Sequence, residues 1–393
     1  MERVKVSKIA KQIRGVSYKP EDLHDMLDDN SVTLLRANNI QDGKVDFEDV
    51  LYVDKSKVSQ VQYLQKGDIL VCASSGSKSI VGKAASIDFD GEYTFGAFCK
   101  VVRPIPEMAD YLGVYFQSQI YRGIISKVAM GANINNIRNE HIDNLEIPEK
   151  TSKEISSIIQ RIKLLQYIID RRNLELQKLD ELVKARFVEM FIDWDESKGW
   201  SQCTISDVSV AMRTGPFGSA LHHGEFVDKG VFVLGIDNAV ENKFSYNKMR
   251  YITEEKYCQL KRYTVFPGDV IITIMGTVGR SAVIPDGMPK AINTKHLACI
   301  TVDKAKIDPY FLSSAFQIHP DIRAQLQKEC KGAIMNGLNL TIIKGLSFKC
   351  PPLALQEEFV AFYKQIDKVK LSVQNSLEQM EILKKALMQQ YFG

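Results

Sequence analysis

Between residues 151 and 191, apolar side chains recur with alternating steps of three and four, the spacing that puts them on one stripe of a long helix. The stripe runs Ile155, Ile158, Ile162, Leu165, Ile169, Arg172, Leu176, Leu179, Val183, Arg186, Met190, broken only by the two arginines. A seam of about eleven turns needs a second helix to cover it. The chain carries one. Advancing each seam position by 201, from Ile158 to Phe359 and onward, gives Tyr363, Ile366, Lys370, Val373, Leu377, Met380, Lys384, Leu387 and Tyr391 in unbroken register. Gln356, the counterpart of Ile155, falls outside the apolar stripe, and Lys370 and Lys384 stand near the places where the first helix also carries charge. A single chain that must run out along one helix and return along the other makes the pair antiparallel.

The copying extends beyond the helices, so the chain reads as a tandem duplication. Residues 4–9 (VKVSKI) parallel 203–208 (CTISDV), and 34–39 (LLRANN) parallel 233–238 (VLGIDN). Likewise Leu51-Tyr52-Val53 parallels Arg250-Tyr251-Ile252, and Gly67-Asp68 in 66–71 parallels Gly268-Asp269 in 267–272. Ahead of each long helix, short β-branched runs punctuated by glycine (69–73, 98–102, 231–234, 270–274, 297–302) predict strands. Short helices are expected at 108–129 and 309–329. Proline-bearing linkers at 147–152, with Ser152 as N-cap, and at 350–353 close the globular parts. A polar connector at 193–200 holds both tryptophans, one of which should pack over a domain edge. The expected fold is α+β: two similar β-rich mixed α/β domains, 1–150 and 193–352, separated by two long antiparallel coiled-coil helices, 151–192 and 353–393, in an internal pseudo-twofold repeat.

At 393 residues, 45% hydrophobic and 25% charged, the chain has the composition of an ordinary soluble protein with two or three cores. Its start lacks an apolar h-region and no apolar run reaches the ~18 residues of a span, so a cytoplasmic location without membrane contact is expected. Seven cysteines without a CxxC pair, and six histidines not spaced with them as ligands, predict reduced core thiols and no metal site. His222-His223 is an isolated pair of the kind found in loops. A net charge of +3 is too small for bulk electrostatic binding to nucleic acid, which would have to come from local basic loops.

No catalytic constellation stands out: there is no GxSxG elbow, no HExxH and no Asn-Pro-Pro-aromatic tetrad, and Cys350-Pro351-Pro352-Leu353 is not one. The glycine loops 215–219 (GPFGS), 74–78 (SSGSK) and 275–280 (MGTVGR) lack the spacing of a P-loop or a dinucleotide fingerprint. Tight turns and DNA-phosphate contacts both remain open for them. Two further loops, 127–138 and 331–339, are rich in asparagine and basic groups. Asn pairs bidentately with adenine and Arg or Lys with guanine, yet Asn and Gly equally serve turns at positive φ.

In their order, duplicated domain, GPFGS, a Tyr-Ile-Thr strand, Pro-Gly-Asp-Val, Gly-Thr-Val-Gly-Arg, Pro-Pro-Leu and a terminal helix ending LKKALMQQYF, these features resemble the specificity subunit of type I restriction-modification systems over essentially the whole chain. The resemblance implies two target recognition domains that each read one half of a bipartite double-stranded DNA site. It implies two helices that set the spacer and dock two methyltransferase subunits. Catalysis and cofactors would lie in partners: S-adenosylmethionine in the methyltransferases, ATP and Mg in restriction subunits, and none in this chain. Candidate DNA contacts in the first domain are then Ser17, Tyr18 and Lys19, Arg36 and Asn38, Ser75, Ser77 and Lys78, and Asn133, Asn135, Asn136 and Arg138. In the second they are Arg213, Phe217 and Ser219, Asn238, Thr277 and Arg280, and Lys331, Asn336 and Asn339. The first domain departs from the pattern, with RGVSYKP at 14–20 and SSGSK at 74–78, which implies an asymmetric target. Two readings of another class remain: a single-chain DNA methyltransferase or nuclease with an unfamiliar site, and a coiled-coil scaffold that binds only proteins.

Overall fold

In a computed structural model the structure describes residues 2–77, 79–130, 136–193, 199–217, 220–331 and 338–393, without the side chains of residues 129, 130, 330 and 331. The two periodic stretches form the helices Ser152–Phe191 and Leu353–Phe392. The first begins at its expected cap, Ser152, because Thr151 caps it instead, its hydroxyl accepting from Glu154 N at 3.3 Å while the Glu154 carboxylate accepts from Thr151 N at 2.9 Å. Each short helical stretch is in fact two helices, Ala109–Phe116 with Gln119–Met130 and Pro309–Ile318 with Pro320–Lys331. Ser118 caps one second segment through Tyr121 N, and Pro320 cannot continue the helix before it.

The chain divides into two compact units, Met1–Leu174 with Gln374–Gly393, and Glu175–Val373. The helices are therefore not separate from the globular parts, as the expected boundaries had them. Each unit takes in half of each helix, because each helix ends in aromatic side chains that a globular core receives. Phe392, fully buried, and Met388 pack with Tyr111, Tyr115, Ile155 and Ile158 in the first unit. Phe187 and Phe191 pack with Phe311 and Phe359 in the second. Within each unit the helices run antiparallel: Lys384 Nζ reaches Gln166 Oε1 in the first, Lys370 Nζ reaches Asp180 and Arg186 reaches Glu358 in the second. Ile158, Ile162, Leu165 and Ile169 are buried on the seam, whereas Leu176 and Leu179 are half-buried. Gln356 is no gap in the stripe. It is fully buried, its Oε1 accepting from Asp308 N and its Nε2 donating to Lys306 O and Pro351 O.

Each unit holds two four-stranded sheets. In the first unit one sheet is antiparallel, in the order Ala10–Arg14, Cys99–Pro104, Ile69–Cys72, Ala84–Ser86. The other orders Tyr93–Phe95, Ser31–Leu35, Leu51–Asp54 and Leu23–His24, the first two parallel. The second unit repeats both around Val270–Thr273 and Val231–Leu234, with the edge strand Thr264–Val265 where the first unit uses Leu23–His24 at the opposite edge. The strand 69–72 is apolar throughout because both faces are covered: Ile69 and Val71 face the helical core, Leu70 and Cys72 the core between the sheets.

The repeated Gly-Asp pair is the start of this strand. Gly67 and Gly268 turn at φ +92° and +85°, a conformation that favours glycine. The next residue, Asp68 or Asp269, is about 1% exposed, its carboxylate accepting from the backbone N–H of Gln65 or Phe266. The balancing cation comes from a different strand in each unit. Arg103, on 99–104, forks onto both oxygens of Asp68 at 2.8 Å. In the second unit that place is Thr301, which donates to Asp269 Oδ1, and the guanidinium is supplied by Arg213 from the neighbouring strand Ser209–Thr214.

Candidate nucleic-acid interface

In the first unit the strand Ser31–Leu35 runs into a single turn, Ala37–Asn39, which buried Asn39 closes. Its Oδ1 accepts from Arg36 N at 2.8 Å and its Nδ2 donates to Asp46 O and Asp49 O. The turn directs Arg36 and Asn38 toward Asp49: Arg36 Nη2 lies 3.0 Å from Oδ1, and Asn38 Nδ2 donates to Oδ2 at 2.9 Å. Across from them Gly15 passes so close to Gly96 that a Cβ would stand 2.1 Å from the Gly96 carbonyl oxygen, so this position must be glycine. Tyr18, Ser74, Ser75 and Phe98 complete a cleft of roughly 310 Å³. Sequence-predicted Tyr18, Arg36, Asn38 and Ser75 thus meet at one place. Phe98, 71% exposed, was read as the start of an apolar strand; the strand begins at Cys99 and leaves its ring at the cleft wall.

The second unit has a cleft of roughly 510 Å³ at the equivalent place, lined by His223, Gly235, Asp237, Lys248, Arg250, Lys295 and His296. Gly215 is the counterpart of Gly15, a Cβ there falling 2.2 Å from Thr294 C. Asp237 accepts from Arg250 Nη2 at 2.6 Å and lies 3.5 Å from Lys248 Nζ. The hydrogen bond from Arg250, joined by the charge of Lys248, holds its carboxyl below the usual carboxylate value against the opposing effect of burial. Burial, with Lys295 and Arg250 nearby, lowers His296 below the ordinary histidine value, which keeps it neutral at pH 7. Arg250, Lys248, Lys295 and His296 were missed by sequence reasoning. The signal was present in the alignment of Leu51-Tyr52-Val53 with Arg250-Tyr251-Ile252, where an arginine replaces a core-type leucine.

Several other expected contacts are occupied by the fold itself. Asn238 is fully buried and closes its turn as Asn39 does, bonding Gly235 N, Ser245 O and Asn247 O. Arg213 neutralises Asp269, and Asn339 caps the helix Leu340–Gly345 by accepting from Ile342 N. Asn238 and Arg213 are corrected from base or phosphate contacts to structural residues, since their polar atoms are already paired, whereas exposed Asn339 uses only its Oδ1 in the cap. Arg280 lines a different cleft, with Asn242, Gln317 and Arg323. Ser17, Lys19, Ser77, Asn136, Arg138, Phe217 and Thr277 are exposed on loops. Lys78, Asn133, Asn135, Ser219, Asn336 and the side chain of Lys331 lie outside the described residues. Of the thiols, Cys72, Cys99 and Cys299 are buried, Cys203 and Cys350 half-buried, and Cys258 exposed, all free. Burial pushes Cys72 up to about 11. Among the described residues no group of acidic, histidine and cysteine side chains could hold a metal, and no helix is long and apolar enough to cross a membrane.

A duplicated sheet-rich domain, each copy with a cleft at the same place and each tied to a long antiparallel helix pair, defines a tandem-repeat α+β protein. Residues 198–381 match the type I restriction modification DNA specificity domain. Over 98% of its length the chain is 28% identical to the StySPI specificity subunit of Salmonella potsdam and 26% identical to the EcoKI specificity subunit of Escherichia coli K12, covering 87% of each. Its fold is similar to the crystal structure of the type I restriction-modification system S subunit from M. genitalium (TM-score 0.56, 14% identity, 100% of this chain and 96% of that one). It is similar too to a chain from a structural study of assembly and conformational transition in a type I R-M system (TM-score 0.58, 13% identity, 100% and 97%). The chain is thus similar over nearly its whole length to type I restriction-modification specificity subunits, and residues 198–381 carry the match to their DNA specificity domain.

Proposed function

We propose that this chain, as a specificity subunit, binds double-stranded DNA and reads a bipartite, asymmetric site, one half through each domain. The observation that carries this reading is the pair of clefts: they occupy one place in a repeated fold but present different side chains, Tyr18, Arg36 and Asn38 in one and Asp237, Lys248 and Arg250 in the other. Equivalent placement suits equivalent roles, and different chemistry suits different base sequences. The exposed loop residues Ser17, Lys19, Ser77 and Arg138 in the first domain and Thr277 in the second are suited to phosphate and sugar contacts, and the exposed Phe217 ring to apolar contact or stacking.

The helices then set the spacing between half-sites and dock two methyltransferase subunits. Exposed apolar side chains on the helix pair of each unit favour this, Leu164, Tyr167 and Ile382 in the first and Leu182, Val369 and Leu371 in the second. Methyl transfer with S-adenosylmethionine belongs to those partners, and ATP- and Mg-dependent cleavage to restriction subunits. The purified chain is expected to shift DNA in gels only weakly or with its partners, and to transfer no methyl group by itself. With methyltransferase partners in cells, methylation-sensitive sequencing is expected to return one bipartite motif with unequal halves. Methyl transfer by the lone chain, or an assembled complex with its protein partners that binds no DNA, overturns the proposal.

A further inference from the structure

Both clefts contain a guanidinium held by a carboxylate, but the two residues come from opposite sides. In the first domain the arginine is on the turn that follows the strand Ser31–Leu35, and the acid, Asp49, precedes the strand Leu51–Asp54. In the second domain the acid, Asp237, is on the turn, and Arg250 reaches back from the strand side. Position 235, the counterpart of Arg36, is glycine, and the space a side chain would take is filled by Arg250 itself: a Cβ on Gly235 would lie 2.6 Å from Arg250 Nη1. The sequence has thus exchanged donor and acceptor between two strands while keeping the pair in the cleft. A surface ion pair contributes little to stability, so stability alone gives no reason to keep one.

Arg36 also has unfinished hydrogen bonding. Its Nη2 is held by Asp49, both the carboxylate and the backbone oxygen at 3.2 Å, whereas its buried Nε has no partner. A buried donor without an acceptor costs free energy. In the second cleft the buried hydroxyl of Thr294 is likewise without a partner.

We propose that these pairs, Arg36 with Asp49 and Arg250 with Asp237, are the contacts through which each domain reads a guanine in its half-site; this rests on the reading of the chain as a bipartite DNA-binding subunit. The two acceptors O6 and N7 on the major-groove edge of guanine match the planar fork of arginine. Adenine sets an amino donor where the fork needs an acceptor. A phosphate is the poorer occupant, because the adjacent carboxylate cancels the charge that would attract it and leaves only the directional donors. Exposed Lys248, its side chain 71% accessible, is better placed to meet the backbone.

The test uses the assembled complex with its methyltransferase partners. Wild-type complex is offered duplexes in which 7-deazaguanine, which lacks the N7 acceptor, replaces each half-site guanine in turn. One position in each half is expected to lose roughly 5- to 100-fold in affinity. In parallel, Arg36→Lys, which keeps the charge but not the fork, is expected to relax that one position in the first half-site and leave the second half unchanged, as read by methylation-sensitive sequencing. Arg250→Lys is expected to do the converse. The unaltered half reports that each variant folds and assembles. The proposal is overturned if no guanine responds to the deaza base, or if the lysine variants keep the motif. It is also overturned if Arg36→Gln weakens all sequences alike and lowers the salt dependence by about one phosphate contact. A wild-type complex that returns no bipartite motif fails the underlying reading instead, and the two failures are distinct.

Discussion

Arg103 and Arg213 answer one electrostatic demand from two different strands. Asp68 and Asp269 are buried at the same turn of each domain, and each needs a cation close by. Removing one strands an acid in the core, so Arg213→Ala is expected to destabilise the second unit by about 3–5 kcal/mol, measured by urea denaturation, while the motif read by surviving complexes stays the same. A loss of base preference without loss of stability would return Arg213 to the interface. His319 gives a pH-dependent case. It is 5% exposed against Phe187 and Phe348, and burial lowers its folded-state value below the ordinary 6.5. The unfolded chain then takes up the proton first, so the folded state loses stability as pH falls through about 6.5 and on toward the lowered folded value. Nδ1 of His319 also accepts from Asp321 N at the start of the helix Pro320–Lys331, a task asparagine can perform without titrating. His319→Asn is expected to flatten the fall of Tm between pH 6.5 and 5; an unchanged slope would assign that fall to other groups.

The two long helices were legible as elements because a 3–4 repeat over forty residues admits few alternatives. Which residues face each other was not legible, since an antiparallel pair can slide by a heptad and keep its seam. Repeat equivalence matches residues 165–171 with 366–372, whereas the structure sets Lys384 against Gln166, so the span opposite 165–171 is 379–385. If the helices act as a ruler, deleting 165–171 together with 379–385 shortens the pair by ~10 Å, about three base pairs, without breaking the seam. An active variant is expected to methylate the same half-sites with a shorter spacer, read by sequencing; activity on the original spacer refutes the ruler. The helix ends carry a separate demand. Phe392 is fully buried against Tyr111 and Tyr115, at ring separations of 5.1 and 5.5 Å. Phe392→Ala is expected to cost about 3–5 kcal/mol in the first unit, seen as a lowered Tm.

For the whole molecule, the unit boundaries change how its modularity is tested. Residues 1–148 alone are not a free-standing module, because their core includes Ile155, Ile158, Ile162, Met388 and Phe392 from the helices. A swap with a relative's first domain that preserves those packing partners is expected to change one half of the methylated motif and leave the other intact. A change in both halves would show that the domains read jointly.

The duplication, the two helices and the strand runs were written in the sequence, because local periodicity acts between near neighbours, whereas the need for glycine at 15 and 215 comes from Gly96 and Thr294 far along the chain. The same local signals put Tyr18, Arg36 and Asn38 on loops, and only the fold gathers them at one cleft. Partnership across the fold was decided only by tertiary structure. Asn238 and Arg213 look like readers in one dimension and turn out to be saturated by Gly235, Ser245 and Asp269. Arg250 looks like a strand residue and stands in the cleft beside Asp237. A polar side chain is free or occupied according to what lies against it, and the folded backbone decides that whether the partner is 3 residues away, as for Asn238, or 56, as for Arg213.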